Sequence, residues 1–224
     1  MPRDYRTAAL TWKRRNPGWA HRMWDDHSLR ALMSDCAPEW LRAYAAQPEM
    51  EARADVGRYA LLDLFGGVYA DIDTECRRPI ASLLAGSDSR LQLTIYSNPR
   101  SDPDPFAHAT NSVMASFPGH PVWSRARSGI EENAQQRWVV ARTGPLMLRP
   151  ILRRYAEEHP GDIRLIGYPY SITTFMLPKP YMRLLSWMRR ENCLLDFNDS
   201  ARRAAREKAE TWSRRVLRPF RRPG

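Results

Sequence analysis

Cysteine is scarce in this 224-residue chain: Cys36, Cys76 and Cys193 stand far apart, with neither a paired zinc-ligand spacing nor a disulfide framework. No run approaches the ~20 apolar residues of a membrane-crossing helix. The opening Met1-Pro2-Arg3-Asp4-Tyr5 has no apolar core of the secretory kind. No G-x-x-x-x-G-K-[ST] phosphate loop occurs, and there is no internal repeat or low-complexity linker. These absences exclude a disulfide scaffold, P-loop chemistry and a solenoid. They lead to the expectation of a cytoplasmic, reduced chain.

The composition is globular, at 43% hydrophobic and 27% charged residues. The length suits one domain, expected over residues 1–200, followed by a basic tail over 201–224. The net charge is +10, and the tail carries nine basic and two acidic residues, which leaves only +3 for residues 1–200. A nucleic-acid binder is therefore not expected, although the pI near 10.0 invites one. A tail of this kind suits the anionic inner face of a membrane, or is simply solvated. The apolar and arginine-rich stretch at 181–190 can likewise lie on a bilayer or pack on the domain.

Turn and capping signals divide the chain. Asn16-Pro17-Gly18 should end a first helix, residues 21–24 are short enough for a strand, Asp25-Asp26 offers an N-cap, and Pro38 opens a helix through Ala46. Residues 51–65 repeat apolar positions at helical spacing and stop at Gly66-Gly67. Residues 68–73 read as a buried strand leaving the core. Further strands are expected at 91–96, 112–115 and 163–166, with helices at 121–133, 145–159 and 181–190, an α/β layered pattern.

The chemistry concentrates between Arg53 and Cys76. In a strand, Asp71 and Asp73 would face one side, where unpaired carboxylates repel. A divalent cation relieves that repulsion, and hard oxygen ligands suit Mg²⁺ or Mn²⁺ with water and phosphate completing the shell. Asp55 and Arg58, three apart on one helix face, can pair with each other or hydrogen-bond a polyhydroxylated ligand. Gly66-Gly67 allows close backbone approach.

The run Arg53-Ala54-Asp55-x-x-Arg58-Tyr59-x-x-Leu62-x-x-x-Gly66-Gly67-Val68-Tyr69-x-Asp71-x-Asp73 resembles the signature of family-32-type Asp-x-Asp glycosyltransferases. That group includes fungal α-1,6-mannosyltransferases and bacterial capsular polysaccharide glycosyltransferases. Trp12, Asn16-Pro17, Trp19 and Trp24-Asp25-Asp26, then Asn111, Pro118-Gly119-His120-Pro121 and Thr143-Gly144-Pro145, follow in the same order. The resemblance implies a GT-A-type nucleotide-sugar-binding fold and a retaining, metal-dependent transfer of a hexosyl group from a UDP- or GDP-sugar to a glycan or lipid-linked acceptor. It implies that Asp73, with Asp71, ligates Mn²⁺ or Mg²⁺. Asp55, Arg58, Tyr59, Gly66, Gly67 and Asp71 would bind the donor sugar. The family's usual first strand is expected to be lacking here, and no third metal ligand is assigned. A degenerate, non-catalytic binding or scaffold protein on the same fold is the alternative.

Overall fold

Capping chemistry sets the helix boundaries. The computed structural model describes residues 3–84, 88–95, 100, 102–167, 171–173 and 194–196. Helix α1 (Arg3–Arg15) stops at Asn16-Pro17-Gly18 as expected. Helix α2 (Asp26–Cys36) starts from Asp25: its carboxylate accepts the Ser28 amide at 2.8 Å, and the Ser28 hydroxyl accepts the Asp25 amide at 2.9 Å. Pro38 opens α3 (Pro38–Ala45). Helix α4 (Met50–Phe65) ends at Gly66, with φ 63° and ψ −148°, a conformation nearly closed to other residues.

Strands β1 (Gly67–Ala70), β2 (Thr74–Cys76), β3 (Leu91–Ile95), β4 (Ala109–Ser116), β5 (Ile163–Ile166), β6 (Ser171–Thr173) and β7 (Leu194–Asp196) are described, with helices α5 (Ala81–Leu84), α6 (Pro121–Glu132), α7 (Val139–Arg142) and α8 (Pro145–Glu158). The main sheet runs β1-β4-β3-β5, and a smaller one runs β2-β7-β6. β1 and β3 lie antiparallel to β4, and β5 lies parallel to β3. Every residue of β3 is buried. Around it the core gathers Met33, Trp40, Tyr59, Met114, Trp123, Leu148 and Tyr155 from the surrounding helices and β4. A second cluster of Trp12, Cys76, Ile80, Val113 and Ile166 docks α1 against β2. The expected strands at 91–96, 112–115 and 163–166 correspond to β3, β4 and β5 over the described residues, and the helices at 121–133 and 145–159 to α6 and α8.

Two expectations are corrected. Residues 21–24 form no strand, because no described strand pairs with them; there Trp24 stacks on Phe65 with ring centroids 6.2 Å apart under the Arg22 guanidinium. The strand expected over 68–73 ends at Ala70 and is only half-buried, since β1 is an edge strand. Ile72 and Asp73 belong to a turn, closed where the Thr74 amide donates to the Asp71 carbonyl at 3.0 Å. The expected helix at 181–190 and the tail at 201–224 lie outside the described residues. Among those described, no helix is long and apolar enough to cross a membrane.

Candidate functional site

Helix α4 carries Asp55 and Arg58 inward, and their close spacing makes them an ion pair, Arg58 Nη2 to Asp55 Oδ1, at 3.2 Å. The same guanidinium reaches beyond the helix. Arg58 Nη1 lies 3.2 Å from Asp71 Oδ1 and donates at 2.7 Å to the Asn111 carbonyl. Asp71 Oδ1 also accepts the Tyr69 hydroxyl at 2.8 Å, and the Asp71 amide donates to the Ser112 carbonyl at 2.8 Å. The central strand β4 thus anchors the turn that holds both carboxylates.

Asp55 is almost fully buried and is satisfied from two distant segments. Asn111 Nδ2 donates to Oδ1 at 2.8 Å, and the Thr143 hydroxyl donates to Oδ2 at 2.9 Å. Burial pushes the Asp55 carboxyl pKa up, against the opposing pull of Arg58 and Thr143. Burial works against the charge on Arg58, yet Asp71, Tyr69 and Asp55 beside it hold the guanidinium well above its ordinary value. Burial likewise raises the Tyr69 phenol, which stays a donor to Asp71.

The residues singled out in the sequence do not all meet here. Asp55, Arg58 and Asp71 converge, with Asp73 on the same turn as Asp71. Tyr59 is fully buried behind them: it accepts from Asn111 Nδ2 at 2.9 Å, donates to the Thr143 carbonyl at 2.9 Å and stacks on Trp123. Gly66 and Gly67 lie at the other end of β1, where Gly67 faces Ser116 while Ala70 faces Val113. A Cβ on Gly66 would stand 2.7 Å from the Ser116 carbonyl oxygen and from Pro118, so close approach does require that glycine. The Asp63 carboxylate accepts the Trp40 indole N–H at 2.8 Å. His120 sits before α6 as expected, accepting the Val122 amide at Nδ1, with Nε2 3.3 Å from Asp162. His108 lies 3.5 Å from Asp102 in its loop.

Among the described residues no group of three His, Cys, Asp or Glu side chains is placed to hold a metal. Asp71 and Asp73 supply two hard carboxylates, and the Asp71 side chain keeps 27% of its exposure. Two carboxylates with water and phosphate completing the shell is the usual manner of holding Mg²⁺, so these residues fit a hard divalent cation that its ligand completes. Asn111 and Thr143 were visible in the sequence only as motif positions, Asn111 standing just before the strand expected at 112–115.

The family model described as "Glycosyltransferase sugar-binding region containing DXD motif" matches residues 2–90, which include Asp55, Arg58, Asp71 and Asp73. Residues 2–90 are thus similar to the sugar-binding region of DXD glycosyltransferases. The chain is 30% identical over 151 residues to inositol phosphoceramide mannosyltransferase 2 of Schizosaccharomyces pombe, covering 65% of this chain and 41% of that protein. It is 28% identical over 159 residues to an uncharacterized glycosyltransferase of Acanthamoeba polyphaga mimivirus, covering 69% of this chain and 60% of the other. Mannosyl phosphorylinositol ceramide synthase of Saccharomyces cerevisiae is 28% identical over 164 residues, with 69% of this chain and 40% of the relative covered. The chain thus spans 40–60% of the length of these relatives. Among solved structures, PaToxG Glycosyltransferase shares the fold at a TM-score of 0.51 and 14% identity, over 72% of this chain and 65% of that one. The α/β fold is of the expected GT-A type.

Proposed function

We propose that the chain is a metal-dependent, retaining glycosyltransferase that moves a hexosyl group from a nucleotide sugar to a hydroxyl of a glycan or lipid-linked acceptor. The observation that carries this reading is the Arg58 guanidinium held between Asp55 and Asp71 inside the DXD region. Asp73 and Asp71 would hold Mn²⁺ or Mg²⁺, which when bound neutralises charge on the departing diphosphate. Asp55 has three of about four acceptor positions taken by Asn111, Thr143 and Arg58, so one is left for a sugar hydroxyl. Arg58 orients Asp55 and offsets part of the negative charge of Asp55 and Asp71. The mannosyltransferase names of the relatives make a mannosyl donor the first to try.

The test is donor hydrolysis against UDP- and GDP-sugars with Mn²⁺ and then with chelator, in wild type and Asp73→Ala. Metal-dependent nucleotide release that disappears in Asp73→Ala is expected. A folded wild type that neither binds nor turns over any nucleotide sugar would sink the enzymatic reading in favour of a degenerate scaffold. The basic residues 201–224 are proposed to bring the protein to an anionic membrane surface; absence of liposome flotation at low salt would count against it.

A further inference from the structure

We propose that Thr74, with Trp12 behind it, is a positioning residue that sets the two carboxylates of the Asp71–Asp73 turn for one divalent cation, an inference that rests on the metal-binding reading above. The turn is locked twice at one atom. The Thr74 amide donates to the Asp71 carbonyl at 3.0 Å, and the Thr74 hydroxyl donates to the same oxygen at 2.6 Å. Thr74 has no exposed surface, and its own carbonyl accepts the Trp12 indole N–H at 3.1 Å from α1.

Helix α1 holds the rest of this segment as well. The Cys76 amide donates to the Thr11 hydroxyl at 2.9 Å, and the Ile80 amide donates to Asn16 Oδ1 at 2.8 Å. The segment after the turn is therefore tied at three points to α1 and the Asn16 that follows it, Thr74 being the one next to the carboxylates. At the turn's other end the Asp71 amide is fixed to β4 through Ser112. A cation that accepts oxygen ligands only within about 0.2 Å of their ideal distances gains from a turn whose two carboxylates hold one separation. An amide closing bond alone leaves the turn room to open. A second donor on the same carbonyl, from a side chain stiff at χ1 and sealed in the core, removes that freedom.

Thr74→Val keeps the shape and deletes the hydroxyl, Thr74→Ser keeps the hydroxyl, and Trp12→Phe keeps a ring in the cluster while deleting the indole donor. Mn²⁺ binding to the full chain would be titrated by the electron paramagnetic resonance of free Mn²⁺, alone and with UDP or GDP, beside the melting temperature of each variant. Outer residues that orient metal ligands commonly account for 10- to 100-fold in metal affinity. Thr74→Val is expected to weaken Mn²⁺ about 10-fold, Trp12→Phe to act in the same direction, and Thr74→Ser to bind nearly as wild type. A purely structural Thr74 would lower the melting temperature while folded Thr74→Val bound Mn²⁺ as wild type does, and that overturns the proposal. Should Thr74→Val fail to fold, wild-type Mn²⁺ affinity in Trp12→Phe overturns it instead. A folded wild type that takes up no Mn²⁺ with either nucleotide overturns the metal reading first, so the two failures are told apart.

Discussion

The Arg58 guanidinium stands 3.2 Å from Asp55 Oδ1 and 3.2 Å from Asp71 Oδ1, joining a carboxylate on its own helix to one on a turn 13 residues further on. A buried charge with two charged partners depends on both, because each carboxylate would otherwise be left uncompensated. Lysine cannot reproduce the arrangement: its single ammonium lacks the planar fork that reaches two carboxylates and the Asn111 carbonyl together. Arg58→Lys should destabilise the fold by about 3 kcal/mol. That corresponds to a melting temperature lower by roughly 6–12 °C in calorimetry. Donor hydrolysis should fall with it.

Thr143 and Asn111 can be separated experimentally. Thr143→Val removes one donor from buried Asp55 without changing shape, at a cost of about 2 kcal/mol. Asn111→Ala also strips a donor from Tyr59 and should cost more. Urea unfolding at neutral pH would rank the two, and equal, negligible effects would refute the network.

The glycine pair makes a contrast. Gly66 combines positive φ with backbone 2.7 Å from where a Cβ would sit, whereas Gly67 has positive φ and open space. Gly67→Ala should cost about 1–2 kcal/mol from backbone strain alone. Gly66→Ala should cost clearly more, because the helix end must move away from Ser116 and Pro118. Comparable melting temperatures for the two variants would contradict this.

His120 supplies a pH dependence. Burial pushes its pKa below the ordinary 6.5, so the unfolded chain binds the proton more readily. Its contribution to stability is therefore present above pH 6.5 and is lost as the pH falls through the lower folded value. The slope would reach at most about 1.4 kcal/mol per pH unit. Asn is a good N-cap that can still accept the Val122 amide. His120→Asn should keep the helix start and flatten the loss of stability between pH 6.5 and 5, read from urea midpoints.

Local signals carried much of the architecture. Asp25, Pro38, Gly66 and the helical spacing of Leu61, Leu62 and Phe65 act within one or two turns of chain, so their outcome was readable before any tertiary contact. The strand reading of 68–73 failed for a physical reason: β propensity says nothing about where a ladder ends. The end is set by Thr74, whose two bonds to the Asp71 carbonyl turn the chain away.

The resemblance to the Asp-x-Asp signature, the α/β alternation and the choice of Asp55, Arg58, Asp71 and Asp73 were legible along the chain, because residue types at fixed spacing are local properties. What those residues do to one another depends on the packing of distant segments. Arg58 could have paired with Asp55 alone; its reach to Asp71 exists because β4 holds the turn beside α4 through Ser112 and Asn111. Asn111 and Thr143 complete Asp55 from 56 and 88 residues away. The Trp12 indole reaches the Thr74 carbonyl from 62 residues before it. Contacts over such distances arise when the core excludes water and every buried polar group must find a partner, and that requirement is met in space.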